Sequence, residues 1–230
     1  MRRPRQLLLV LVAGLLACGS VGSLKALEDV PRGSGSGEKL YVPSGHYLRQ
    51  AVLGFREMAA DYLWFQTVQY YGAYRRGEHD LGYYRGLLDA VCRLDPHFVE
   101  AYRFGSLVLA MDLRDRPGAV DVLKRGIQNN PDNWVLPFEV GFVYYVLDQD
   151  FPRAACWFDA AADSPDATDF ARRFAAFCHK RAGDTEVSLL LWRNLYETTS
   201  NPAMRDLAER MIGRCEELLR ARQAGGPGGT

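Results

Sequence analysis

The chain is predicted to be all-α, an α-solenoid of about four helical hairpins closed by a C-terminal capping helix. Three observations predict it. Four prolines, Pro96, Pro131, Pro165 and Pro202, recur at separations of 35, 34 and 37 residues. Each closes an amphipathic helical stretch and is followed by another, so the period holds two helices. A small residue precedes the proline by 24 positions in two of the units, as Gly72 before Pro96 and Gly141 before Pro165. A small side chain lets paired helices approach, and a proline cannot continue the second of them. Such an array has no preformed catalytic cleft and offers a surface to another chain.

The elements follow in order. Ser44 is placed to cap a helix through Tyr47, Leu48, Val52 and Phe55. The next stretch, Met58–Tyr74, carries Leu63, Trp64, Val68 and Tyr71 at helical spacing and is unusually aromatic. Leu81–Leu94 completes the first hairpin. Phe98–Met111 pairs with Gly118–Gln128, Trp134–Leu147 with Arg153–Ala162, and Thr168–Arg181 with Thr185–Thr198. Ala203–Ala221 is the terminal helix, whose many charges suit the outer face that closes a repeat array. Asp80, Asp132 and Asp184 stand where helix caps or first-turn charges belong. From Gln223 the chain reads as a disordered tail, residues 223–230.

With four units in phase, the chain resembles the tetratricopeptide repeat (TPR) family over roughly residues 60–202. Tyr71-Gly72 opens one unit, which ends Leu94-Asp95-Pro96. Gly105 opens the next, ending Asn130-Pro131, and Gly141 with Tyr144 the third, ending Ser164-Pro165. The fourth has Ala175 in the glycine position. The pattern departs from the family in two places. Gly105 to Pro131 is two residues too long, and the usual first-helix tryptophan is missing. An unrelated helical bundle with evenly spaced turns would share the spacing. In the family the first helix of each unit lines a binding groove. The resemblance, with Gly72, Gly105, Gly141 and Ala175 in register, implies a groove of Gln66, Gln69 and Tyr70, then Tyr102 and Arg103. Phe138, Glu139, Phe142 and Tyr145 follow, then Arg172, Arg173, His179 and Lys180. That series is polar and aromatic at one end, apolar in the middle and basic at the other. It suits a protein or peptide partner with apolar and acidic side chains.

The N-terminus reads as a targeting segment. Arg2, Arg3 and Arg5 precede an apolar run, Leu7–Ala17, that is too short on its own to span a bilayer. Leu15-Leu16-Ala17-Cys18-Gly19 resembles a bacterial lipobox, with Cys18 the lipidated residue and Leu16 the departure from its pattern. An uncleaved anchor over Leu7–Leu24 and ordinary cleaved secretion are the alternatives. All three export the remainder, because the positive flank stays in the cytoplasm. Residues 1–18 are therefore the signal peptide or anchor, 19–40 a Gly/Ser-rich linker, and 41–222 the helical repeat domain. The expected location is the extracytoplasmic side of a bacterial cell envelope, held at the membrane. The layout also resembles the pilotins of type IV pili, tetratricopeptide lipoproteins that help an outer-membrane secretin assemble, and a pilotin-like assembly factor is a further alternative.

Basic and acidic residues number 28 each, so no global charge favours nucleic acid. Cys92, Cys156, Cys178 and Cys215 form no CxxC, and no histidine pair has metal-ligand spacing, so neither a metal nor another cofactor is expected. The cysteines read as small core residues, and Cys156 with Cys178 is the pair expected if a bridge forms. No cluster of titratable groups marks an enzyme. The function expected is a scaffold that binds a partner in an envelope complex. The alternative is a spacer or self-associating subunit whose groove is filled by its own Tyr41–Tyr71 segment.

Overall fold

A computed structural model describes residues 55–224. The expectations for the leader or anchor, Cys18, the linker, the helix through Tyr47 and Val52, and the last six residues lie outside the described residues. Within them the chain is all-α, with no strand. The helices are α1 Arg56–Arg75, α2 Tyr84–Leu94, α3 Val99–Met111, α4 Arg116–Asn129, α5 Val135–Val143, α6 Phe151–Ala162, α7 Asp169–Ala182, α8 Thr185–Thr198 and α9 Pro202–Ala224. A π-helical turn, Tyr144–Asp148, extends α5. The helix α9 runs through Gln223 and Ala224, which the sequence reading gave to the tail. None of the described helices is long and apolar enough to cross a membrane.

The local causes of these elements are clearest in α2 and at the turns. Tyr84, Leu87, Leu88, Val91 and Leu94 recur at three- and four-residue steps and are all buried, each contributing about 1.5–3 kcal/mol on leaving water. Asp115 and Asp150 cap α4 and α6, accepting from the Gly118 and Arg153 amides at 2.9 and 3.0 Å, with a proline in each first turn. Asn133 accepts from the Val135 and Leu136 amides, so it, not Asp132, caps α5. Asp80 instead closes a turn by accepting from the Gly82 amide, and Asp184 makes no side-chain cap. Gly183 ends α7 with φ 99°, a left-handed geometry that costs glycine nothing.

The helices pack as four hairpins, α1–α2, α3–α4, α5–α6 and α7–α8, with α9 laid on α8. The first helices of successive hairpins also meet. Trp64 and Tyr71 of α1 close on Phe104 of α3 at 5.8 and 5.2 Å between ring centroids. Phe138 of α5 meets Phe170 and Phe174 of α7 at 5.2 and 5.3 Å. The second helices form their own row. Arg125 of α4 pairs with Asp89 of α2 at 2.7 Å, and Lys124 of α4 lies over Trp157 of α6. The core follows the array as three successive clusters centred on α2–α5, α5–α7 and α7–α9. Stability is therefore built from neighbour-to-neighbour interfaces.

The glycine register holds in one hairpin and fails in two. A Cβ on Gly141 would lie 2.9 Å from the Phe158 ring in α6, so this glycine admits its hairpin partner. A Cβ on Gly72 would meet only the Arg76 guanidinium, at 3.5 Å. Gly72 therefore admits no residue of α2, and Tyr71 makes the contact with that helix, through Tyr84. In the second hairpin the close approach is inverted. The small residue is Gly126 in α4 and the large one is Tyr102 in α3, while Gly105 admits Leu88 of the preceding hairpin. Since Gly72 is a helix-interior glycine with open space at its Cβ, Gly72→Ala is expected to raise the unfolding free energy by about 0.5–1 kcal/mol. A fall in melting temperature would restore the packing role.

Candidate functional site

The first-helix row is where exposed large apolar side chains gather. Leu107 and Met111 of α3 are 53% and 55% exposed, Phe142 of α5 is 39%, Val146 of the π turn 44% and Phe170 of α7 42%. Phe55, Met58, Tyr62 and Phe65 form an exposed stripe along α1. Among the described residues, α2, α4 and α6 carry no exposed large apolar side chain within their bounds, though Tyr83, just before α2, is 42% exposed. Helix α8, the second helix of the last hairpin, is the exception, with Val187, Leu190 and Tyr196.

The residues assigned to a groove by sequence divide. Tyr102 is 1% exposed and Phe138 8%. Both belong to the core, a correction that follows from the inverted packing at Gly126 and from the aromatic cluster around Phe158. Burial pushes the Tyr102 phenol up to about 12. His179 is also turned away. Its Nε2 lies 2.8 Å from Asp159 of α6 and its Nδ1 3.6 Å from Asp184, in a largely buried position. Tyr70 braces the α1–α2 turn, donating to the Asp80 carbonyl at 2.7 Å and stacking on His79. Gln66 is half-buried on α1 and Gln69 exposed.

Arg103, Glu139, Phe142, Arg173 and Lys180 remain on the accessible side. Arg103 links two first helices, reaching Glu139 of α5 at 3.3 Å while also pairing with Glu100 at 3.0 Å. Burial raises the Glu139 carboxyl above its ordinary range, and the Arg103 guanidinium offsets that in part. Arg103→Gln should therefore move the Glu139 titration further up. A downward or unchanged titration by carboxyl-selective NMR would contradict the pairing. The basic pair on α7 is not equivalent. Arg172 lies 3.6 Å from Asp169. Arg173 sits over the rings of Phe170 and Phe174 at 4.9 and 5.3 Å, and no described carboxylate lies within ion-pair distance of it. Lys180, two turns on, lies over Phe177.

Tyr145 of the π turn packs on Phe158, Phe174 and Phe177 with centroids 6.0–6.4 Å apart. It lines a cavity between α5, α7, α8 and α9. Leu107, Met111, Val146, Phe170 and Phe177 are not among the groove residues assigned from the repeat register. Helix α3 is apolar on nearly every side, so periodicity does not single out its exposed face.

The four described cysteines are unbridged. Cys92, Cys156, Cys178 and Cys215 are free thiols, so no Cys156–Cys178 bridge is present. Burial pushes the Cys92 and Cys178 thiols up to about 12. Alkylation of the native chain should therefore mark exposed Cys156 and spare these two and the buried Cys215. Modification of Cys178 at the Cys156 rate would contradict its burial. Among the described residues, no group of three His, Cys, Asp or Glu side chains is placed to hold a metal ion.

No protein-family model matches the chain, and no curated protein matches it. Among solved structures it is similar to one described as the crystal structure of MamA protein. The two are 13% identical with a TM-score of 0.43, over 77% of this chain and 99% of the other. The hairpin architecture itself rests on the helix contacts described above.

Proposed function

We propose that the chain is a membrane-tethered, extracytoplasmic repeat scaffold whose first-helix row binds a peptide or helix of a partner protein in an envelope complex. The asymmetry between the two helix rows carries this reading. Large apolar side chains left in water cost free energy unless a partner covers them. Here they stand on α1, α3, α5 and α7, while of the second helices α8 alone carries them and α2, α4 and α6 do not. Arg173, with its guanidinium over two aromatic rings, adds the residue type that binding centres favour. The tether is supported by Arg2, Arg3 and Arg5 ahead of the apolar run Leu7–Ala17, and by Cys18 in its lipobox-like setting. Radiolabelled palmitate should enter the protein and be lost in Cys18→Ala. Label retained by the variant would sink the lipidation.

The binding face is tested by Phe142→Glu combined with Arg173→Glu. Both side chains reach solvent, so the fold should persist by circular dichroism. Loss of an apolar contact and reversal of a charge should weaken partner capture from solubilised envelopes by about 2 kcal/mol, roughly 30-fold. Equal capture with an intact fold would move the interface elsewhere. The α1 stripe favours a second reading, a self-associating subunit. Sedimentation velocity of the mature chain separates the two. The scaffold reading expects a monomer, and a stable dimer lost on Tyr62→Arg would support self-association.

A further inference from the structure

The cavity between α5, α7, α8 and α9 has a volume of about 290 Å³. Its walls come from the π turn after α5 and from α7, α8 and α9. Tyr145 follows α5, Phe174 and Phe177 belong to α7, and Leu207 and Met211 to α9. Cavities that take cofactors or drug-sized ligands start near this volume, about 300 Å³. A dry apolar cavity of about 150 Å³ already accepts benzene. The space therefore suits one large side chain with its flanking backbone, and is small for a cofactor.

Two polar groups on this lining lack a polar partner among the described residues. Arg173 contributes the positive charge, held over Phe170 and Phe174 and facing no described carboxylate. Trp192 of α8 also lines the cavity, is 1% exposed, and its indole N–H has no acceptor. A buried N–H without an acceptor is costly, whereas Arg173 is only half-buried, so its charge stays open to a partner. An occupant that brings a carboxylate gives the Arg173 guanidinium a charge partner. The π turn is part of the same arrangement. It interrupts the regular α-helix at Tyr144–Asp148, and so sets the direction in which Tyr145 leaves the backbone.

We propose that this cavity is the anchoring pocket of the binding face. It takes one leucine- or phenylalanine-sized side chain of the partner segment, with a carboxylate beside that residue paired to Arg173. The inference rests on the scaffold reading and specifies the chemistry that the face selects. An apolar residue next to an acidic one, or at a free C-terminus, fits both halves of the pocket. A purely apolar segment leaves Arg173 unpaired, and a purely acidic one leaves the aromatic walls in water.

Three small probes test it. N-acetylphenylalanine carries ring and carboxylate, its amide carries the ring alone, and N-acetylglycine carries the carboxylate alone. The readouts are the Met211 methyl and the Trp192 indole N–H resonances of the intact domain. N-acetylphenylalanine should shift both saturably, with the amide about tenfold weaker. N-acetylglycine should give no saturable shift. Arg173→Gln should bring acid and amide to within about twofold of each other, since only the charge-assisted pair is removed. Equal affinity for acid and amide in the unaltered protein overturns the carboxylate assignment, and no shift at Met211 overturns the pocket. The wild-type comparison needs no variant to fold. Failure here with the Phe142–Arg173 capture loss intact leaves the scaffold reading standing. Saturable probe binding without that loss leaves a pocket that the partner does not use.

Discussion

Tyr102→Ala is expected to lower the unfolding free energy by about 3–5 kcal/mol, the cost of truncating a buried aromatic ring. The side chain is 1% exposed and lies against the Gly126 backbone, where even one added carbon would come within 2.8 Å of the ring. Its hydroxyl stands 3.4 Å from the Asn129 amide nitrogen, a weak contact. The loss therefore comes mainly from apolar burial and the cavity left between α3, α4 and α5. Gly126 has no side chain to fall into that space, so relaxation is limited. Chemical denaturation followed by circular dichroism reads the effect. A change below about 0.5 kcal/mol, the range of ordinary surface substitutions, would return Tyr102 to a groove.

The second large effect lies in the third hairpin. Phe158→Ala should cost about 3–5 kcal/mol. Phe158 is fully buried and touches the rings of Phe138, Tyr145 and Phe174. Gly141→Leu should cost about 1–3 kcal/mol from the opposite cause, overpacking against that same ring. The two changes share one volume, because the Gly141 Cβ direction points at Phe158. Combined, they should cost less than their sum by about 0.5–3 kcal/mol, as the added leucine occupies part of the space the ring vacates. Strict additivity would mean that α5 and α6 do not meet at this point.

The hairpin array was legible in the sequence because proline spacing and helical periodicity report backbone events. Pro131 and Pro165 stand in the turns between hairpins and Pro202 opens α9, while α2 through α8 lie within a few residues of their expected bounds. The site was legible only in part, for a packing reason. Which of two helices carries the small residue is free to invert, as Tyr102 and Gly126 show against Gly141 and Phe158. Where it inverts, the large residue of the first helix is the buried one, as Tyr102 is; Phe138 is buried instead among the rings around Phe158, and His179 is held by Asp159. Phe142 and Arg173 reach the surface, while Tyr102, Phe138 and His179 do not. Arg172 shows a second limit. The sequence places Asp169 one turn away, but only the rotamers decide that Arg172 takes it and Arg173 does not. The cavity beside α9 was beyond sequence reading, since it needs the π turn at Tyr144–Asp148 and the docking angle of the last helix.

The most direct test of the scaffold account is site-specific photocrosslinking in intact cells. A photoreactive phenylalanine analogue is placed at Phe142 on the first-helix row, and separately at Asp121 of α4 and Ala160 of α6 on the second. All three positions are exposed, so each variant should fold. The account predicts a discrete adduct of one partner at Phe142, absent at Asp121 and Ala160, and diminished when Arg173→Glu is added. Adducts at Asp121 or Ala160 with none at Phe142 would contradict it and place the interface on the opposite row.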